Sequence, residues 1–187
     1  DGMKILRKKI NKFRNNPIRK ETLVDSLMML HEMRIATYPR YAVTAKTNKA
    51  MDMMTFASKG KEKEVFDVLG DAMDTAKEKT AIVIPVRYMS YANDLYKAGT
   101  MSGEEVMAAY TKAYGTAELI EKAKPSQAVT DAKKDIENLL MISGVASCEN
   151  LVDMFSPRYE ANPQDKYMLG NLISMFSASN CLDEDLF

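Results

Sequence analysis

Apolar residues recur three or four positions apart along almost the whole chain. Within 88–113 they fall at Tyr88, Tyr91, Ala92 and Leu95 and then, after a break, at Val106, Ala109, Tyr110 and Ala113. That spacing gathers each set on one face of a helix. In the break, Gly99 accepts positive φ cheaply at a helix end, and Ser102 and Glu105 have the spacing of a capping box at the next helix start. The stretch predicts two antiparallel helices on a tight turn, their stripes buried against each other.

The same alternation runs on both sides. Met3, Leu6, Ile10 and Phe13 predict a helix over 2–15, and Asn16-Pro17 reads as a cap followed by proline at the first helical position. Leu23, Val24, Leu27, Met28, Leu30, His31 and Ile35 mark the next helix, which should end near Tyr38 because Pro39 follows. A helix over 42–58 is closed by Gly60, and Val65, Val68, Leu69, Ala72 and Ala76 mark another. Residues 81–86 are the one place a strand could stand, but Pro85 and the lack of a partner strand favour a helix start. Pro125-Ser126 opens a helix carrying Val129, Ala132, Ile136, Leu139 and Leu140 as far as Gly144. Leu151, Val152, Phe155 and Tyr159 form a shorter stripe. Asn162-Pro163 repeats the cap-proline start before Leu169, Leu172, Ile173 and Phe176.

Turn residues Gly60, Gly99, Gly144 and Asn180 recur at intervals of about 40 residues, within the range of helical-pair repeats. A lone pair cannot bury both its faces, so neighbouring pairs must stack. The pattern predicts one all-α domain over residues 1–187, with about four full pairs and the start of a fifth. The chain opens on Asp1 and stops in mid-pattern at Phe187, as a fragment of a longer protein would.

This spacing resembles tetratricopeptide repeats. Phe56, Gly60, Val65, Leu69 and Ala72 match the first-helix aromatic, the turn and the second-helix positions. Val106, Tyr110 and Ala113 match again, as do Phe155, Pro163, Leu169, Leu172 and Phe176 across a repeat boundary. The chain departs from the pattern in having no Trp, little of the Leu-Gly pair and few closing prolines. The phrases Leu23-Val-Asp-Ser-Leu-Met-Met-Leu, Asp94-Leu-Tyr-Lys-Ala-Gly, Ala146-Ser-Cys-Glu-Asn-Leu-Val-Asp-Met-Phe and Asn180-Cys-Leu-Asp-Glu-Asp-Leu-Phe are similar to divergent tetratricopeptide-like proteins of anaerobic bacteria, many of them exported. The resemblance implies a right-handed solenoid of antiparallel helix pairs, a periplasmic or cell-envelope location, and a concave groove for a protein or peptide.

Composition narrows the function classes. Apolar content of 46% with 28% charged residues is that of a folded chain, and only eight Gly and six Pro argue against a turn-rich all-β fold. Fifteen Met and no Trp suggest a gap-filling core. Net charge is zero, so the molecule has no general attraction for nucleic acid or anionic lipid. No apolar run approaches the roughly 18 residues that insertion into a membrane requires. Charge is nonetheless uneven. Lys4, Arg7, Lys8, Lys9, Lys12, Arg14, Arg19 and Lys20 crowd one end; Glu149, Asp153, Glu160, Asp165, Asp183, Glu184 and Asp185 crowd the other. Solvated helix faces explain this, and so does a dipolar rod that meets an acidic partner or assembles end to end as an envelope spacer.

Candidate chemistry is sparse. His31 lies on an apolar stripe, as a hydrogen-bonded, partly buried histidine would, and lacks the second histidine of a zinc-protease helix. No phosphate loop or dinucleotide fingerprint occurs. No cofactor or metal is therefore expected, and a non-enzymatic interaction module is favoured over an enzyme. On the concave face that the resemblance implies, Asn93, Lys97, Lys134, Asn138 and Asn171 resemble a clamp holding a peptide carboxylate with amide and ammonium donors. Tyrosines 88, 91, 96, 110 and 114 cluster around the central pair, as packing or as an exposed anchor. Cys148 and Cys181 open the second helices of consecutive repeats. In an exported protein they could form a disulfide; the alternatives are two separate buried thiols or a reactive thiolate at a helix start.

Overall fold

A computed structural model describes residues 2–164 and 166–181, with side chains for all of these except Arg158, Tyr167, Met168, Asn171 and Ala178. Asp165, Asp183, Glu184 and Asp185 lie outside the described residues. Among those described, the chain is all helix and contains no strand. The helices are α1 (Gly2–Lys12), α2 (Pro17–Thr37), α3 (Ala42–Phe56), α4 (Glu62–Ala76), α5 (Val83–Lys97), α6 (Gly103–Ala123), α7 (Gln127–Ser143), α8 (Cys148–Ala161) and α9 (Lys166–Ala178). None is long and apolar enough to cross a membrane.

Two of the expected start signals act as caps, whereas Ser126 makes no side-chain cap hydrogen bond and Pro163 lies in a turn ahead of α9, which begins at Lys166. Asn16 accepts a hydrogen bond from the Arg19 amide at 3.1 Å, with Pro17 opening α2. Ser102 and Glu105 form both halves of a capping box at α6. The doubtful segment over 81–86 resolves as a helix start, with Pro85 in the first turn of α5, where no helical donor is needed. Gly60, Gly99, Gly144 and Asn180 all have positive φ. Gly144, at φ +70°, ends α7 in the left-handed conformation that a side chain disfavours.

Chain neighbours are spatial neighbours. Each helix from α1 to α6 packs on the next, α8 packs on α9, and α5 also packs on α7. A continuous apolar cluster runs from Ala50 through Leu69, Met89, Tyr110 and Leu140 to Phe155 and Phe176. A smaller one, of Ile10, Val24, Leu27 and Phe56, holds α1 and α2 onto the end of α3. Polar contacts join helices two apart in the chain. Lys112 of α6 pairs with Asp74 of α4 at 2.7 Å, and the Asn93 amide of α5 donates to the Leu139 carbonyl of α7 at 2.6 Å.

Candidate functional site

One open groove is built from two helix faces. Glu104, Met107 and Thr111 sit one turn apart along α6; Asn150, Asp153 and Met154 share a face of α8. The groove encloses about 530 Å³, within the size range of ligand-binding clefts. Met107 and Met154 are half-buried against the core, while Glu104 and Asp153 are exposed. The groove is thus apolar and adaptable in its floor and negative at its rim. Thr111 is committed locally, its hydroxyl donating to the Met107 carbonyl at 3.0 Å.

Pro157 lies inside α8. It has no amide, so the Asp153 carbonyl, directed along the helix toward the proline ring, loses its helical donor. The α8 wall is fixed at its start. Cys148 and Cys181 form a disulfide, with S–S 2.04 Å and Cα–Cα 5.3 Å, tying the first residue of α8 to the segment after α9.

The residues singled out for a carboxylate clamp do not share one environment. Asn93 is 3% exposed and spends its amide on Leu139, so it serves as a tie between α5 and α7 rather than as a groove donor. Lys97, Lys134 and Asn138 are exposed. Lys97 lies in the last turn of α5, where its charge also complements the helix C-terminus. The side chain of Asn171 lies outside the described residues. The central tyrosines pack rather than project. Tyr88, Tyr110 and Tyr114 are buried, Tyr91 and Tyr96 are half-buried, and Tyr88 stacks on Phe66 with ring centroids 4.1 Å apart.

A buried polar junction joins the first three helices. Asp52 of α3 accepts from Arg7 of α1 through both guanidinium arms, at 2.7 and 2.8 Å, and lies 2.7 Å from Nε2 of His31 on α2. His31 is fully buried and Asp52 nearly so. Burial alone would push the Asp52 carboxyl up. The hydrogen bonds from His31 and Arg7, with the Arg7 and His31 charges, outweigh it and hold the group below its ordinary value. The expected hydrogen bond of His31 is present, and the residue is fully rather than partly buried. A signal for Asp52 existed: it follows Ala45 by seven residues and precedes Phe56 by four, placing a carboxylate on the buried stripe of α3.

No family model matches the chain, and no curated protein or solved structure is similar enough to match it.

Proposed function

We propose that the chain is a non-catalytic helical-repeat scaffold, tetratricopeptide-like in its stacking of antiparallel pairs, and that it holds a peptide segment of a partner protein between α6 and α8. The make-up of that groove carries the reading: two thioethers in the floor and two carboxylates at the rim. Such a surface suits a segment with an apolar side chain beside Lys or Arg.

A non-catalytic role draws support from how the reactive side chains are spent. The single imidazole is sealed against Asp52, and the sulfurs of both cysteines are bonded to each other. The disulfide also favours an oxidising compartment, in keeping with a periplasmic or cell-envelope location.

Selection of displayed peptides on the disulfide-intact protein should enrich an apolar residue next to Lys or Arg. Their affinity should fall about tenfold or more in Asp153→Lys. Loss of affinity in Lys134→Glu instead would move the site to the α5–α7 face. Peptides indifferent to both substitutions would overturn the reading.

A further inference from the structure

At the opposite end of the molecule, a recess of about 430 Å³ opens between α1, α2 and α3. Lys4 and Arg7 reach it from α1, Arg34 from the last turn of α2 and Asn48 from α3. Among the described residues, no carboxylate lines it. The nearest acid in the hydrogen-bond network is Asp52, and both its oxygens are occupied, one by Arg7 and the other by Arg7 and His31. Neither Lys4 nor Arg34 takes part in an ion pair among the described residues. Glu32, two residues before Arg34, is paired with Lys49.

Among the described residues, three cations and one carboxylate leave a surplus of two positive charges around the recess. Like charges held this close repel one another, and an entering anion relieves the repulsion. Asp52 fixes the Arg7 guanidinium through Nε and Nη2, leaving the Nη1 hydrogens available in a set orientation. Asn48 adds a neutral donor, and the lysine and second arginine add charge that can follow the ligand.

We propose that this recess binds a multivalent oxyanion, a phosphate monoester or pyrophosphate group, between Lys4, Arg7, Arg34 and Asn48. The surplus of two charges matches a dianion rather than a single carboxylate, and the volume admits a phosphate with a small organic substituent. The site is independent of the groove between α6 and α8, and a chain that fails to bind peptide there can still bind an anion here.

The test is calorimetric titration of the whole chain with pyrophosphate at low ionic strength, with acetate as the monovalent comparison. Pyrophosphate should bind at least about tenfold more tightly than acetate, and Arg34→Gln and Lys4→Gln should each weaken it by about tenfold. Lys9→Gln removes one charge from an exposed position of the same helix, outside the recess, and should change affinity less than about twofold. Amide shifts in a nitrogen–proton NMR titration should centre on residues 2–7, 34 and 48. Equal weakening by Lys9→Gln would reduce the effect to the general attraction of a basic surface and overturn the site. So would acetate binding as tightly as pyrophosphate, or shifts centred elsewhere. Because Lys4 is exposed, Lys4→Gln keeps the test valid if Arg34→Gln disturbs folding.

Discussion

Asp52 is a carboxylate that the fold cannot leave alone. Removed from water without partners it would be strongly unfavourable; with Arg7 and His31 against it, it pins three helices at one point. Asp52→Asn keeps the shape but removes the charge that both partners face. It should cost about 2–3 kcal/mol at neutral pH, read from urea denaturation midpoints. The pH dependence has a definite sign. The folded carboxyl titrates below its ordinary 3.8. Its contribution is therefore fully present above the unfolded value and is lost as pH falls through the folded one. The gap between wild type and Asp52→Asn should hold from neutral pH down to that ordinary value and close below it. A gap that stayed constant into acid would mean the two proteins differ in packing alone. At this scale the sequence was half legible. The apolar stripe located His31, but its partner lies 21 residues away on another helix, and pairing across helices leaves no periodic trace. Asn93 failed for the same reason: its place in the register says nothing of the Leu139 carbonyl that captures it.

Elements were far more legible, because helix ends are written in local chemistry. Asn16, Ser102, Gly99 and Gly144 each do at a terminus what their side chain, or lack of one, permits. The apolar stripe Leu151, Val152, Phe155 and Tyr159 outweighs the single Pro157, and α8 continues through it. The Cys148–Cys181 bond ties the start of that helix to the segment after α9. Closing a loop with a sequence separation of 33 restricts the unfolded chain by roughly 3–4 kcal/mol on a chain-entropy estimate. Reduction should therefore lower the thermal midpoint by several degrees, and the paired Cys148→Ser, Cys181→Ser variant should reproduce the loss. Amide exchange should quicken chiefly in α8 and α9. If reduction left the midpoint and the exchange of these helices unchanged, the bond would not be a structural tie.

Across the whole molecule, stability should follow the contact pattern, because segments with few buried contacts open at lower free energy than densely packed ones. Helix α5 is the most connected, packing on α4, α6 and α7, and its buried residues Ile84, Met89, Ala92 and Leu95 sit within the larger apolar cluster. Helix α1 is the opposite case. It packs on α2, contributes Ile10 to the smaller cluster, and reaches α3 through Arg7. Native-state hydrogen exchange should therefore rank the helices. Amides of α5–α7 should open only with global unfolding, while those of α1 open at much lower free energy. Arg7→Gln removes the tie to Asp52 while leaving the apolar contacts of Ile10 in place. It should lower protection in α1 and the adjoining parts of α2 and leave α5–α7 close to wild type, since helices two or more pairs away share no contact with the altered one. Equal loss of protection from α1 to α7 would show that the array unfolds as one unit, with the two apolar clusters coupled more tightly than their separation implies.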